Sequence, residues 1–531
     1  MIDIERINKA VTLTRQGKFK EAEEIYLSLL ESESNNPILL SFVGLFYVNI
    51  RNFDKAGKYL KKAYDISKTE GTVSALGFCE FERENFEAAA NYLTEALEYG
   101  NTAEIYDKLI LSLFHISKYS EAIEYSQKMY ELYPDNPNAV ANMVKANTQS
   151  GKLMEAEKIC IEYLKEHYET PALWFHLGFL KELIYSNDKQ ACECYKIAES
   201  LGRKEAAYNI AVSYQKQGEY KLAEEYYNKM LDAFPNDVET LTSLGMCQLT
   251  QKKFHEGYKN FYHRETPICK NTNNLWKVGQ SFGKNIVVLC DQGFGDHIQF
   301  IRYIPFLKSQ TEKVLVAAHP SLIGLFKQNY PDIEFIPIDK IDPNMQSVRI
   351  TDLAYALDMD FEHIPFAEGY LQSEEKKIPS EKLKVGLCWE AGSAGIRTMI
   401  NRTINIRLLE PLINLEDIQI YSFQVTDSLN GNERYPQMIN LAKDFKTFED
   451  TAQALKAMDV VVTVDTSVAH LAGALGVRTL LMLPYTTDWR WFNDTKTTPW
   501  YKSVEIFKQT DSISWEKPIN DIIDRIKSYE K

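Results

Sequence analysis

The sequence predicts an all-α repeat array followed by an α/β region built as two parallel-sheet halves. Three observations predict it. Residues 1–265 repeat with a period near 34, the spacing of stacked helix pairs. Beyond residue 284, short β-branched runs alternate with amphipathic stretches of helix length, the order of a parallel sheet with crossover helices. Asp459 to Pro484 (DVVVTVDTSVAHLAGALGVRTLLMLP) is a strand–turn–helix–strand unit whose helix opens where the preceding strand ends.

The repeat is read from position. A small residue recurs early in every second helix: Ala22, Ala56, Ala89, Ala122, Ala156, Ala191, Ala223, then Gly257. A bulky residue stands three positions earlier at Phe19, Phe53, Phe86, Tyr119, Leu153, Tyr220 and Phe254. A second small residue precedes by twelve or thirteen positions: Ala10, Gly44, Gly77, Gly178, Ala211 and Gly245, with Ile110 and Val144 as exceptions. Small residues let paired helices approach closely, and the bulky one fills the gap to the next pair. Pro37, Pro137 and Pro171 fall at helix starts, where proline is tolerated. The sixth repeat has Asp188 in the bulky position, which predicts a local distortion.

The α/β part begins after a polar stretch, 266–283, read as a linker. Asn285 to Cys290 is a buried strand, Asp291-Gln292-Gly293-Phe294-Gly295-Asp296 a Gly-rich turn, and His297 to Lys308 an amphipathic helix. Strands at 314–318 and 333–336 complete the first half. A second polar stretch, 373–384, separates it from strands at 385–389, 418–424, 460–464, 479–483 and 504–507. Val460 to Val464 is unbroken and β-branched, the mark of a strand buried on both faces. Asp465, Thr466 or Ser467 caps the helix that follows, and Gly476 stops it. Two such halves joined by a linker suggest a cleft between them.

Composition bounds the function. At 531 residues the chain exceeds one ordinary domain, and length alone suggests roughly three to four. Its apolar (45%) and charged (25%) shares are those of a soluble globular protein. A net charge of -14 disfavours nucleic acid or anionic membrane as partner. The eight cysteines are scattered without the paired spacing of a zinc site. Cys192 and Cys194 point in different directions on a helix. Reduced thiols and a cytoplasmic location are expected. The N-terminal stretch lacks the apolar core and cleavage site of a signal peptide. No run approaches the ~18 apolar residues of a membrane span.

Two resemblances follow from these residues. The first half resembles the tetratricopeptide repeat, with about eight repeats, which implies a superhelix whose concave face binds peptide or protein. A rigid spacer or dimerisation arm, and hence a homo-oligomer, is the other reading of such an array. Gly293-Phe294-Gly295-Asp296 ahead of its helix, and Asp465-Thr466-Ser467-Val468-Ala469-His470 ahead of Gly476, resemble the two motifs of the heptosyltransferase-like group, glycosyltransferase family 9. The likeness covers roughly 285–510. By domain order alone, repeats fused to such a half are similar to O-GlcNAc transferases and bacterial flagellin glycosyltransferases.

The second resemblance implies a GT-B fold of two Rossmann-like halves, a nucleotide-sugar donor, inversion at the anomeric carbon and no metal or other cofactor. It divides the chain into a repeat array (1–265), an acceptor-side half (266–380) and a donor-side half (381–531). It implies Asp296 as general base, with Gly293, Gly295 and His297 in the acceptor-side loop. His297 is a competing base that the motif does not favour. It implies donor contacts from Asp465 and His470 and a phosphate loop at Gly392-Ser393-Ala394-Gly395. Arg397 and Arg402 are the cations near that loop, Thr466 and Ser467 offer hydroxyls, and Gln424 ends a strand at the same edge. Two features depart from the family: Glu390 beside the loop, and the tail Asp488-Trp489-Arg490-Trp491.

The bland readings remain beside these. Asp296 could cap its helix and His470 could simply pack. Trp489, Trp491 and Trp500 could stack on a base or sugar or form a hydrophobic latch. Asp358-Met359-Asp360 has the DxD spacing of metal-dependent transferases, but those have another fold. The expected function is a cytoplasmic transferase moving sugar from a nucleotide-sugar to a protein acceptor, with Ser or Thr hydroxyls foremost, docked by the repeats. The alternatives are a non-catalytic repeat scaffold with a degenerate α/β half, or a transferase acting on lipopolysaccharide or another glycan.

Overall fold

The structure is a computed structural model that describes residues 3–359, 364–392, 402–426, 428, 430–492, 496–511 and 514–529. The chain divides into two compact units, Met1–Ser213 and Tyr214–Lys531.

The first unit is an α-solenoid of paired helices, running from Ile4–Arg15 and Phe19–Ser32 to Pro171–Tyr185 and Asp188–Ser200. Its small positions are packing contacts. Ala10, Ala22, Ala56, Ala89, Ala122, Ala156 and Ala191 are fully buried. A Cβ on Gly44 would fall 2.4 Å from Leu60, and one on Gly77 would fall 2.6 Å from Leu93. Phe86 lies flat on His115 of the next pair at 3.9 Å between ring centroids. Asn36 and Asn136 accept N–H groups of the helix that each precedes, with Pro37 and Pro137 in the first turn. The period also shows in the backbone, because a left-handed residue marks each tight turn: Gly17, Arg51, Glu84, Ser117, Gly151 and Ser186.

The sixth pair keeps its geometry. Its first helix, Pro171–Tyr185, has 15 residues against 13 in Pro37–Asn49. Left-handed Ser186 and the cap Asn187 absorb the extra length, and Asp188 enters the first turn of the second helix. The irregularity sits in the turn rather than in the packing.

The second unit opens with helices Tyr220–Ala233, Val238–Thr250 and Phe254–Phe261. In the last pair the close approach at Gly245 is to backbone rather than side chain. A Cβ on Gly245 would meet the backbone N of Phe261 at 2.4 Å, and one on Gly257 would meet Leu249 at 2.8 Å. Two sheets follow. The first contains β1 (Asn285–Leu289), β2 (Lys313–Ala318), β3 (Glu334–Pro337) and β4 (Ser347–Arg349), all parallel, in the order β3-β2-β1-β4. The second contains β5 (Leu383–Cys388), β6 (Ile418–Ser422), β7 (Ile439–Asn440), β8 (Val460–Val464), β9 (Thr479–Leu483), β10 (Thr497–Thr498) and β11 (Tyr501–Lys508). Its order is β10-β11-β9-β8-β5-β6-β7, parallel except at β10–β11.

In each sheet the first strand has a later neighbour on either side: β1 lies between β2 and β4, and β5 lies between β6 and β8. Chain order reverses there, and the carboxyl ends of such strands form the crevice where α/β sheets hold ligands. One apolar core runs from Leu249, Tyr258 and Phe261 through the first sheet to Trp489, Trp500 and Tyr501, and a second fills the far face of the second sheet against the Glu516–Lys527 helix.

Several elements differ from the sequence reading. The helix after β1 starts at Phe294, three residues early, because Gly293 rather than a later residue is its cap. It breaks at Ile301–Tyr303, a 3-10 turn ahead of Pro305. Between β5 and β6 the chain forms a 3-10 turn, Ile406–Leu409, and a short helix, Glu410–Ile413, where residues 406–415 read as one continuous helix. The stretch 266–283 is anchored as well as polar: Trp276 is buried, and Leu275 bridges to Ser347 at the start of β4. β4 itself has a buried arginine, Arg349, in three residues of strand, so hydrophobic runs do not reveal it. Among the described residues no helix is long and apolar enough to cross a membrane.

Candidate functional site

Asp296 is the third residue of the helix Phe294–Phe300, which leaves the end of β1. Its two carboxylate oxygens have separate partners. Oδ2 accepts the Gly293 N–H at 3.1 Å, closing a capping box at the helix start. Oδ1 accepts Nε of Arg490 at 2.8 Å and also Nη2 of the same guanidinium. The capping role is therefore carried by one oxygen, and the other faces the site.

Asp465 follows β8 directly. Thr466 caps the next helix, Ser467–Ala474, by accepting the Val468 N–H on its hydroxyl. Asp465 is left to face inward: Oδ2 accepts from Arg402 at 3.2 Å, and Oδ1 lies 4.0 Å from Nε2 of His470. Gly476, left-handed at φ 70°, ends that helix as its position predicts.

The two motifs meet. Gly295 faces the His470 ring so closely that a Cβ on it would stand 2.6 Å from Cδ2. The second glycine of Gly293-Phe294-Gly295-Asp296 thus lets the helix after β1 approach the helix after β8. Arg490 completes the link, donating to Asp296 through Nε and Nη2 and to Asp488 through Nη1 at 2.7 Å. Asp488 also caps the turn Trp489–Trp491 by accepting the Arg490 N–H at 3.0 Å. The cluster is shielded at Asp465 and Asp296, whose side chains are 6% and 12% exposed, and opens at Arg402 and Asp488, at 23% and 30%.

Charge in the cluster follows from burial and pairing. Burial raises the Asp296 carboxyl above its ordinary range, and Arg490 pulls against that. Burial and the nearby Asp488 charge raise Asp465, with Arg402 opposing. Asp488 is also pushed up by burial, but its bonds from Arg490 outweigh this and hold it below the ordinary range. Burial, then the arginine charges, push His470 down to about 3, so it is neutral. His470 packs between neighbours, its Nδ1 3.0 Å from the Tyr501 hydroxyl and its ring stacked on Trp491 at 4.8 Å.

The remaining candidates fall around this cluster. His297 is buried, neutral and pushed down to about 4 by burial, and the charge nearest it is that of Asp291 rather than Arg490. Gln424 brackets the loop after β5: Oε1 accepts the Trp389 and Glu390 N–H groups at 2.9 Å, and Nε2 donates to the Glu390 and Thr426 carbonyls. Glu390 turns inward and accepts the Ser428 N–H at 3.0 Å. Gly392 is exposed with open space at its Cβ position. Thr466 and Ser467 are half-buried at the helix mouth. Ser393 and Arg397 lie outside the described residues, as does Asp360 of the DxD triplet. Among the described residues no three His, Cys, Asp or Glu side chains are grouped to hold a metal ion.

Sequence reasoning set Arg490 aside as part of a tail foreign to the family. Only its company gave a signal, a cation between two tryptophans. Trp489, Trp491 and Trp500 are all buried, at 2%, 0% and 0% exposure, so they serve the core as a latch. A groove of about 680 Å³ opens at the ends of β2 and β3, lined by His319, Pro320, Pro337 and Ile338 among others. Phe294 stands against His319 at 5.0 Å.

Comparison with known proteins covers the repeats most firmly. Tetratricopeptide-repeat family models match residues 80–137, 117–176 and 204–237. The chain is 21% identical over 450 residues to Protein FlbA of Caulobacter vibrioides, covering 75% of this chain and 74% of that one. It is 22% identical over 267 residues to Protein O-mannosyl-transferase TMTC3 of Homo sapiens, covering 46% of this chain and 29% of TMTC3. The crystal structure of a tetratricopeptide repeat protein from Parabacteroides merdae matches at 17% identity and a TM-score of 0.37, over 43% of this chain and 91% of that one. The N-terminal region is a tetratricopeptide-repeat solenoid.

Proposed function

We propose that this chain is a glycosyltransferase of GT-B type, with 266–380 as its acceptor half, 381–531 as its donor half and the repeats of 1–265 docking a protein acceptor. The observation that carries this reading is the single charged cluster in which Asp296 at the end of β1 and Asp465 at the end of β8 share Arg490's field. An acid from one sheet and a helix mouth from the other are what inverting transfer needs on opposite sides of an anomeric carbon.

In this reading the nucleotide diphosphate lies at the mouth of the Ser467–Ala474 helix, where first-turn N–H groups and the Thr466 and Ser467 hydroxyls favour anions. Gly392 and Arg402 border it; Ser393 and Arg397 lie outside the described residues and join this reading from the sequence alone. Asp465 would repel phosphate and instead accepts a sugar or ribose hydroxyl. His470, neutral, holds Asp465 and the helix in place. Gln424 shapes the loop after β5 through its four backbone bonds. The acceptor enters from the groove beside Phe294, over the loop of Gly293, Gly295 and His297.

The acceptor hydroxyl oxygen attacks the anomeric carbon as the bond to the diphosphate breaks. The electron pair leaves on a phosphate oxygen, and the hydroxyl proton passes to Oδ1 of Asp296. A positioned base of this kind typically contributes ~10²–10⁴-fold. The name of TMTC3 agrees with sugar transfer to a protein hydroxyl, but the match spans only 29% of it, so the reading rests on the cluster.

Thermal melts with a panel of nucleotide-sugars test it, since a ligand stabilises what it binds. One of them should raise Tm, and intact mass of a co-expressed acceptor should rise by one sugar. Asp296→Asn should abolish transfer with the Tm shift retained. No shift with any donor would favour the non-catalytic scaffold.

A further inference from the structure

Resting on that reading, we propose that Arg490 is a latch that pairs with Asp296 when the donor site is empty and exchanges it for the donor's diphosphate, freeing the base as the donor binds. Asp296 occupies the place a phosphate oxygen would take. The Nε and Nη2 edge of a guanidinium is the fork that grips phosphate or carboxylate side-on. Here that edge is given to Oδ1 of Asp296, while Nη1 is held by Asp488 two residues away.

Three arginines, Arg302, Arg402 and Arg490, act on His470 within the cluster. Arg302 is fully buried, bonded to the Gln299, Pro365 and Trp500 carbonyls and the Tyr370 hydroxyl, and closed off from a ligand. Arg402 is committed to Asp465. Three carboxylates, Asp296, Asp465 and Asp488, thus already engage the other two arginines, with Asp488 at the open side of the cluster. Among the described residues, a diphosphate that draws on an arginine competes with a carboxylate for it.

The bond it can take at least structural cost is the one to Asp296. Arg490 keeps Asp488 as its anchor throughout. Asp296 keeps the Gly293 N–H on Oδ2 and stays in place. Only Oδ1 is released, and it is the oxygen left to accept the acceptor's proton. The base is therefore withheld until a donor is present, which guards the enzyme against deprotonating an acceptor with no sugar to receive.

The test is a double-variant cycle read by calorimetric binding of UDP, GDP, ADP, CDP and dTDP, each beside its nucleoside, to the full chain. The diphosphate that binds wild type should bind Asp296→Asn about tenfold more tightly, an ordinary size for coupling between two sites. Arg490→Gln should bind it about tenfold more weakly, and adding Asp296→Asn to Arg490→Gln should change nothing further. The nucleoside should be indifferent to all three. If Arg490→Gln does not fold, Arg490→Lys, which keeps the charge and loses the fork, should lose most of the Asp296→Asn effect. Equal tightening with and without Arg490 would mean that Asp296 only repels the ligand, and would overturn the latch while leaving the transferase standing. No binding of any diphosphate to wild type would overturn both.

Discussion

Arg490 and Asp296 are 194 residues apart in sequence and bonded at 2.8 Å, so one side chain after β9 closes against the acid after β1. Its flanking residues fix the geometry. Trp489 packs on Tyr258 and Phe261 of the last helix before the sheets, with ring centroids 6.0 and 5.9 Å away. Trp491 stacks on His470 of the helix after β8. Three consecutive side chains thus touch the last repeat helix, the acid and the facing helix in turn.

Trp489 is consequently a strut. Trp489→Ala should lower the unfolding free energy by about 3–5 kcal/mol, the usual loss for emptying a buried aromatic site. Urea titration measures it. A loss under about 1 kcal/mol would mean that the site collapses around the gap and that Arg490 is not positioned through its neighbour.

Gly295 and Gly293 should respond differently to alanine, although both sit in one four-residue motif. A Cβ at 295 meets the His470 ring at 2.6 Å, while one at 293 meets nothing nearer than Asp296 at 3.7 Å. Gly295→Ala should cost about 1–3 kcal/mol, as overpacking does, and widen the gap that Arg490 spans. Gly293→Ala should melt near wild type. The reverse order would show that the motif is tuned for turn conformation rather than for helix approach.

How much of this was legible follows from which interactions are local. The repeats could be read because most pairs reuse one solution, a small residue under the next helix, as Gly44 under Leu60, Gly77 under Leu93 and Gly178 under Tyr195, at fixed spacing. Asp296 and Asp465 could be placed because strand, turn and helix are adjacent in sequence. Their meeting could not be read, because it depends on a contact between Gly295 and His470 that no spacing encodes. Arg490 was missed for the same reason. The buried network of Arg264 with Asp291 and Asp352, which ties the end of the Phe254–Phe261 helix to the first sheet, was also invisible, since its members lie 27 and 88 positions apart. Removing one partner of such a buried pair is strongly destabilising.

The turns of the first unit offer a second stability test. Glu84 holds φ 64° and Ser117 φ 60°, in the left-handed region where a Cβ crowds the following carbonyl. At the matching places Gly17 and Gly151 carry no such strain. Glu84→Gly should stabilise the unit by up to about 1 kcal/mol, the relief of roughly 1–2 kcal/mol at left-handed φ less glycine's greater entropy in the unfolded chain. Gly151→Ala should destabilise by a similar amount. A drop in Tm for Glu84→Gly would show that its side chain contributes more than its backbone costs.

Acid should weaken the second unit through its histidines. His470 and His297 are pushed down from about 6.5 to about 3 and about 4 by burial. Their folded forms bind protons less readily than the unfolded chain, so they contribute stability above the unfolded value that is lost as pH falls through it. The loss is about 1.4 kcal/mol per pH unit for each histidine, beginning near pH 6.5 and continuing towards each folded value. Asp296 and Asp465, raised by burial, act in the opposite sense and favour the fold as pH falls. Comparing variants separates the two effects, because the carboxylates are common to both proteins. Unfolding free energy measured by urea between pH 7 and 5 should fall less steeply in His470→Asn than in wild type, by about 1 kcal/mol per unit on average and approaching about 1.4 at the acid end. Parallel slopes would mean that the imidazole already carries its proton in the fold, and that a charged His470 rather than a neutral one stands beside Asp465.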